Sequence, residues 1–162
     1  MNKELNTDTN TSSEERYLEF SLGNENYAVP LLDVKEVIAV PDTTPIPHAP
    51  SHFVGIMNLR GQVISIVDLR KKMKISPKEQ SEEVAVVILE VQEITLGVIV
   101  DQVNRVLGIR EDQISEAPQI EGKNNHDYML GIYRGENTMT VLMNVFKILG
   151  IEELNFVEKQ AA

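Results

Sequence analysis

The chain of 162 residues contains no cysteine and no tryptophan, and only 5% of its residues are aromatic. The absence of cysteine excludes disulfides, thiol nucleophiles and cysteine metal sites, and it is typical of a reducing compartment. The shortage of aromatic side chains leaves little surface for stacking on bases or sugars. Long apolar runs are also missing. The longest, residues 84–89, has the length of a strand, so we expect no membrane-spanning helix.

The charge of the chain sets a second limit. Its net charge is −10 at pH 7 and its isoelectric point is about 4.8. An acidic surface repels nucleic-acid phosphates and anionic lipid headgroups. A nucleic-acid-binding module, one alternative class for a small β protein, needs a basic face with interleaved aromatic residues. We therefore expect no nucleic-acid partner and no direct insertion into a membrane.

The order of apolar and polar residues predicts a mainly β domain over residues 16–150. We expect a disordered polar tail without a signal peptide at 1–15 and a C-terminal tail at 151–162. The domain has sequence halves of about 16–79 and 80–150, joined by a polar linker. In the first half the pattern predicts strands at 17–22, 27–30, 53–57 and 63–67, a helix running into a strand at 31–40, and a helix at 69–74 capped by Asp68. In the second half it predicts strands at 84–91, 94–100, 130–133 and 139–142, a helical spacing at Val103, Val106 and Leu107, and a helix at 145–149 that Asn144 caps and Gly150 ends.

The two halves resemble each other when the chain is laid on itself. A displacement of 69 residues matches the first strands, and a displacement of 76 residues matches the hairpins. Each half would hide its strand edges by curling into a small barrel. A unit of about 65 residues is marginal alone, so we expect the two units to pack together. The matched pairs include Leu18 with Val87, Phe20 with Leu89, Gly55 with Gly131, Ile66 with Leu142 and Asp68 with Asn144.

No catalytic or metal-binding motif stands out in the sequence. It has no glycine-rich phosphate loop, no G-x-S-x-G elbow and no H-E-x-x-H helix. His48 and His52 are four residues apart, but the prolines around them favour a loop without acidic ligands nearby. We expect these two residues and His126 to be solvent-facing loop histidines. The sequence therefore predicts no metal site.

Three aspartates beside apolar positions, Asp33, Asp68 and Asp101, resemble a carboxylate pair only superficially. Helix caps and strand-end turns account for them better than general acid–base chemistry does. We therefore expect no enzyme activity and no cofactor. An accessory domain of an enzyme, or an inactive hydrolase fragment, remains a minor alternative.

The segment Asn58-Leu59-Arg60-Gly61 is the most informative one. Asn and Gly suit a hairpin turn, whereas turn chemistry does not require Arg60. The displacement of 69 residues places Glu36 over Arg105, and that of 76 places Arg60 over Glu136. The charges are thus exchanged between the halves. We therefore predict one ion pair between Glu36 and Arg60 and a second between Arg105 and Glu136.

Four segments together form a distinctive pattern. They are Gly55-Ile56-Met57-Asn58-Leu59-Arg60-Gly61-Gln62-Val63-Ile64-Ser65-Ile66-Val67-Asp68-Leu69-Arg70, Tyr27-Ala28-Val29-Pro30-Leu31-Leu32-Asp33-Val34-Lys35-Glu36-Val37-Ile38, Leu96-Gly97-Val98-Ile99-Val100-Asp101-Gln102-Val103 and Leu142-Met143-Asn144-Val145. These segments resemble the CheW family of bacterial chemotaxis coupling proteins, and the resemblance covers roughly residues 16–150. It implies a fold of two SH3-like five-stranded β-barrels with a shared core and short helices, in which strand exchange can separate the spatial subdomains from the sequence halves.

The resemblance also implies a function. Such proteins are non-catalytic adaptors that link the cytoplasmic tips of methyl-accepting chemoreceptors to the histidine kinase CheA. The resemblance implies that one barrel pairs with the regulatory domain of CheA, while a groove near the inter-barrel junction takes the helical hairpin tip of a receptor. Val34, Val37 and Ile38 are the candidate apolar residues of that groove, and core packing is the alternative role for each of them. The implied location is the cytoplasm, at membrane receptor arrays reached through those partners. The implied receptor- and kinase-binding residues are Val34, Glu36, Val37, Ile38, Asn58, Leu59, Arg60 and Gly61.

Overall fold

The computed structural model describes residues 14–76, 83–117 and 127–161. Most of the predicted tail and linker, and the loop that holds His126, lie outside the described residues. Short 3-10 helices occur at Leu31–Asp33 and Glu111–Gln113. The other elements are β1 (Glu15–Leu22), β2 (Glu25–Pro30), β3 (Val34–Ala39), β4 (Phe53–Leu59), β5 (Gln62–Asp68), α1 (Leu69–Met73), β6 (Ala85–Val91), β7 (Ile94–Val100), β8 (Gln102–Ile109), β9 (Ile114–Ser115), β10 (Met129–Arg134), β11 (Met139–Met143) and α2 (Val145–Ala161).

The strands form two sheets that share one strand order, except that sheet A has β9 as a sixth strand at its edge. Sheet A has the order β8-β1-β2-β11-β10-β9, and sheet B has the order β3-β6-β7-β5-β4. Neighbouring strands are antiparallel except for one parallel pair in each sheet, β2 with β11 and β5 with β7. The parallel pairs stand at matching positions. The internal repeat predicted from the sequence is therefore a repeat of strand topology.

Each sheet curls so that its two edges share one apolar interior. In sheet B, Ile38 of edge strand β3 and Met57 of edge strand β4 pack against the same buried cluster. In sheet A, Ile109 of β8 and Ile114 of β9 do the same. We call the curled sheets barrel A and barrel B. The interior of barrel B is built on Ile64, Ile66, Val86 and Ile88, and that of barrel A on Tyr17, Ala28, Leu107, Ile109 and Leu142.

The barrels do not coincide with the sequence halves. Barrel A combines β1 and β2 with β8 to β11, whereas barrel B combines β3 to β5 with β6 and β7. The expected strand exchange is thus present. Because each barrel takes strands from both sequence halves, neither half contains a complete barrel.

A third apolar cluster, which we call the shared layer, lies between the barrels. Along β1, alternate residues point into this layer while their neighbours point into barrel A. Barrel A contributes Leu18, Phe20, Leu22, Val29 and Met143 to the layer. Barrel B and α1 contribute Phe53, Val67, Leu69, Val87, Leu89, Leu96, Val98 and Val100, and α2 contributes Val145, Leu149 and Val157.

Two glycines mark the repeat at atomic detail. Gly55 in β4 and Gly131 in β10 both lie at register shifts against the next strand. A Cβ added at Gly55 would lie 2.5 Å from the carbonyl oxygen of Thr44, and one at Gly131 would collide with Ile114. Both positions need glycine because another segment of backbone or side chain crosses them closely.

Several local predictions can be scored. Asp68 caps α1 by accepting from the backbone N–H of Arg70 and Lys71, and Asn144 caps α2 in the same way. The helical spacing predicted at Val103, Val106 and Leu107 is wrong, because these residues lie in β8. Pairing of β8 with β1 along its length overrides the local spacing.

The predicted end of the last helix is only partly right. Gly150 does interrupt it, with φ of 81°, but helical structure resumes directly and α2 continues to Ala161. Val157 in this second part is buried in the shared layer, and the ring of Phe156 meets that of Phe53 edge-on at 5.0 Å. Residues 151–161 are therefore an integral helix of the fold.

The interior of barrel A contains a polar pair that barrel B lacks. Glu19 and Thr140 are both buried, and the Thr140 hydroxyl donates to Oε2 of Glu19 at 2.6 Å. The displacements of 69 and 76 residues place these two over Ile88 and Ile64, in the interior of barrel B. At these equivalent positions, barrel A therefore has a hydrogen-bonded carboxylate where barrel B has apolar side chains.

This carboxylate explains why the predicted ion pair between Arg105 and Glu136 is wrong. Arg105 lies directly opposite Glu19 in the β1–β8 register and donates through Nε to Oε1 of Glu19 at 3.1 Å. Glu136 is exposed in the turn between β10 and β11. A carboxylate on the neighbouring strand is the nearer partner for the guanidinium.

The polar pair of barrel A should behave as a unit. We expect Thr140→Val to lower the free energy of unfolding by about 1–3 kcal/mol, because Glu19 loses a buried donor. The double variant Glu19→Ile with Thr140→Ile reproduces the interior of barrel B and should regain most of that loss. Urea unfolding at pH 7 measures both variants. A double variant less stable than Thr140→Val would contradict this coupling.

Candidate functional site

The turn between β4 and β5 is a tight hairpin. Leu59 pairs with Gln62, so Arg60 and Gly61 are the two central residues. Both have positive φ, 52° and 88°, which is the pattern of the type I′ turn that matches strand twist. The Asn58 side chain accepts from the backbone N–H of Gly61 at 2.8 Å. Asn58 and Gly61 therefore stabilise the turn. Arg60 adopts a left-handed backbone conformation, which is unfavourable for residues other than glycine.

Arg60 and Glu36 form the predicted ion pair. The Arg60 Nη1 donates to Oε2 of Glu36 at 2.6 Å, and Nη2 donates to Oε1 at 3.0 Å. The Arg60 side chain is 71% exposed and that of Glu36 is 23% exposed. Two parallel hydrogen bonds fix the guanidinium in the plane of the carboxylate. Glu36 belongs to edge strand β3, so the pair joins the two edges of barrel B.

The same contact sets the protonation of both groups. The hydrogen bonds from Arg60 lower the pKa of the Glu36 carboxyl below its ordinary value of 4.5. The carboxylate in turn raises the pKa of Arg60 above its ordinary value. Both side chains are therefore charged at neutral pH, and the brace they form is stable to any pH change in that range.

The four apolar residues among the implied binding residues differ in accessibility. Val37 is 42% exposed, whereas Ile38 and Leu59 are half-buried against the interior of barrel B. Val34 is half-buried against the shared layer. The structure thus places all four near the Glu36–Arg60 pair in sequence and topology, but only Val37 presents an open apolar side chain.

Two further exposed apolar residues flank β3. Leu32, in the 3-10 turn before the strand, is 98% exposed, and Val40, directly after it, is 46% exposed. The sequence pattern grouped residues 31–40 by helical spacing and therefore passed over both. Leu32 does not fit the helical spacing of residues 31, 34, 37 and 38, and this mismatch was the available signal that its side chain is exposed. Leu32, Val37 and Val40 are thus exposed apolar residues in or directly beside edge strand β3, and we call them the apolar strip.

The prediction of two solvent-facing loop histidines is right for His48 and wrong for His52. His52 is buried, and its Nε2 lies 2.6 Å from Oε1 of Glu153 in α2. Lys72 of α1 donates to the other oxygen of Glu153 at 2.9 Å. His52 therefore fastens α2 to barrel B. The prolines before it correctly indicated a loop but carried no information on which helix covers that loop.

The described residues include no group of histidine and acidic side chains that could hold a metal ion. Within the same three segments, no helix combines the length and the apolar character that crossing a bilayer requires. The site thus combines a hairpin turn held by the Glu36–Arg60 ion pair with exposed apolar residues in and next to β3. Exposed apolar side chains are a feature of protein-binding surfaces.

Comparison with known proteins identifies the family of the chain. The family described as "CheW-like domain" matches residues 16–153. The chain is similar to the "Chemotaxis protein CheW" of Treponema pallidum, with 32% identity over 83% of this chain and 82% of the relative. It is also similar to the protein of the same name from Klebsiella aerogenes, with 31% identity over 91% of this chain and 89% of the relative.

A solved structure supports the fold assignment. The chain resembles the scaffolding protein TtCheW from Thermoanaerobacter tengcongensis with a TM-score of 0.78 and 27% identity, over 91% of this chain and 95% of the other. Barrels A and B are accordingly two SH3-like subdomains, as expected from the sequence. Family match, relatives and fold converge, and the chain belongs to the CheW family of chemotaxis scaffold proteins.

Proposed function

We propose that this protein is a non-catalytic adaptor that couples the cytoplasmic tips of methyl-accepting chemoreceptors to the histidine kinase CheA. The observation that carries the proposal is the apolar strip of Leu32, Val37 and Val40 beside the turn braced by Glu36 and Arg60. The family membership supports the same role. The protein acts in the cytoplasm and reaches receptor arrays through its partners.

The receptor tip is the occupant that fits the strip best. A helical hairpin presents apolar side chains every three or four residues along one face, and these need a matching apolar surface on the adaptor. Val37 and its neighbours supply that surface. The exposed guanidinium of Arg60 adds a charged group at its rim, where it favours one orientation of the helix over others.

The kinase requires a second surface. Barrel A repeats the strand order of barrel B, and Val106, which is 50% exposed, occupies in β8 the place of Val37 in β3. The duplicated fold thus offers two similar but chemically distinct faces. One barrel pairs with the regulatory domain of CheA, which leaves the other free to join the receptor. Binding both partners raises their effective concentration for each other.

Charge reversal tests how Arg60 acts. We expect Arg60→Glu to weaken binding of a receptor-tip peptide about tenfold or more, because two carboxylates then face each other and the turn moves. The double variant Arg60→Glu with Glu36→Arg restores the pair with opposite polarity. Recovery of binding would show that the pair acts as a brace. Isothermal titration calorimetry with the peptide measures all three proteins.

A matched control is available in barrel A. Arg134 ends β10 and is exposed, so Arg134→Glu changes the net charge by the same amount on the corresponding hairpin. This variant should bind the peptide like the wild type. Equal losses in Arg60→Glu and Arg134→Glu would mean that net charge alone is responsible, and would remove the support for a specific site.

The apolar strip gives an independent prediction. Because Val37 is partly exposed, Val37→Asn should leave the free energy of unfolding within about 1 kcal/mol of the wild type. We expect it to weaken receptor-tip binding at least about fivefold by removing apolar contact area. Met139→Gln, at a similarly exposed position in β11, is the control. Unchanged peptide binding in Val37→Asn would exclude the strip as the receptor site.

The pKa of Glu36 tests the brace without any partner. A carboxyl with a lowered pKa contributes stability that is present above its unfolded pKa and is lost as pH falls through the folded value. The brace should therefore persist through neutral pH and open only below 4.5. A carboxyl-detected NMR titration should show this pKa rising towards 4.5 in Arg60→Gln. The same pKa in both proteins would contradict a persistent ion pair in solution.

A further inference from the structure

Within the described part of the chain, the backbone crosses between the two sheets at two places. It passes from sheet A to sheet B at Leu31–Asp33, between β2 and β3, and returns at Asp101, between β7 and β8. Asp101 is therefore the residue at which the chain passes from barrel B back to barrel A. Any rotation of one barrel against the other must change the surroundings of this residue.

The side chain of Asp101 contacts both barrels at once. It is 3% exposed, and its Oδ2 accepts from the backbone N–H of Gly23, in the β1–β2 turn of barrel A, at 2.6 Å. Its Oδ1 lies 3.0 Å from Nη1 of Arg70, in α1 on barrel B. The backbone N–H of Asp101 also donates to the carbonyl oxygen of Ser21 at 3.0 Å. One buried carboxylate thus connects barrel A, barrel B and the crossover itself.

The partners of Asp101 are held in place by their own local structure. The Asp68 carboxylate accepts from the backbone N–H of Arg70, which fixes the first turn of α1. Gly23 has φ of 61°, and a Cβ there would lie 2.9 Å from Cγ2 of Ile75. The β1–β2 turn of barrel A is therefore seated against the segment that follows α1. Both partners of the Asp101 carboxylate are thus anchored in local structure of their own, so the carboxylate connects the two barrels directly.

We propose that the Arg70–Asp101–Gly23 contact is a positioning device that fixes the angle between barrels A and B, and through it the relative orientation of receptor and kinase. The functional half of this inference rests on the proposed adaptor function. The contact lies away from the turn at Arg60 and from the apolar strip. Its effect on the complex is therefore indirect, through the relative placement of two surfaces.

The orientation can be measured on the protein alone. The chain has no cysteine, so Glu90→Cys in β6 and Arg134→Cys in β10 give one spin label on each barrel. Double electron–electron resonance should show a broader or shifted distance distribution when Asp101→Asn is added, because the charged bond to Arg70 is lost while a side-chain acceptor for Gly23 remains. An unchanged distribution overturns the proposal.

Two further variants keep the measurement decisive. Glu153→Gln removes the carboxylate that contacts Lys72 and His52. These contacts join α2 to barrel B and not to barrel A, so the distance distribution of this variant should match that of the wild type. Arg70→Lys retains the charge with a shorter reach and should give an intermediate distribution. If Asp101→Asn does not fold, Arg70→Lys carries the test, and a wild-type distribution in that variant overturns the proposal.

The functional half has its own outcome. Asp101→Asn should bind the isolated receptor tip and the isolated CheA regulatory domain within about twofold of the wild type, yet lower receptor-dependent kinase activation at least about threefold. Full activation with an altered distance distribution would overturn the functional half and leave the orientation lock standing. Failure of the wild-type protein to bind either partner would instead defeat the proposed function.

Discussion

The apolar layer shared by the two barrels is the constraint on which the rest of the structure depends. Strands that border it have both faces buried, one towards the layer and one towards a barrel interior. In β6, Val87 and Leu89 enter the layer while Val86 and Ile88 fill barrel B, which explains the continuous apolar run of this strand. Each barrel interior is too small to be stable alone, and the exchanged strands bind the two together. Separation of the barrels would expose the largest apolar cluster of the molecule.

Because the central strands are buried, the surface that is open to a partner lies at the edges of the barrels. The interiors and the layer take up the apolar residues of the central strands. The large exposed apolar residues of the described segments therefore lie in edge strands, near strand ends, in the turn before β3 and, in the case of Ile151, in α2. Leu32, Val37 and Val40 follow this rule along β3. Arg60 adds a left-handed backbone conformation that a glycine would adopt with less strain. Its bidentate contact with Glu36 gives a reason for an arginine at that position, because only a long planar donor reaches across the two edges of barrel B.

How far the sequence predicts this structure depends on whether the information is local. The caps at Asp68 and Asn144, the hairpins and the repeat follow from local pattern, and the charge exchange between the halves located the Glu36–Arg60 contact. The same reasoning failed for Arg105 because the residue opposite it is Glu19, whereas the residue opposite Glu36 is Ile88. Comparing halves cannot reveal a substitution at a third position. His52 was misplaced for a related reason, since its partner Glu153 is distant in sequence.

Two surfaces on different barrels keep a fixed relative orientation only if the angle between the barrels is fixed, and the shared layer alone does not specify that angle. The hydrophobic effect is non-directional, so the apolar area buried in the layer does not by itself specify one angle between the sheets. A charge-assisted hydrogen bond is directional and short, and it loses strength steeply when its geometry changes. The layer therefore holds the barrels together, and the buried carboxylate at the crossover determines how they face. This division of roles explains why a charged residue is kept buried where the chain passes from one barrel to the other.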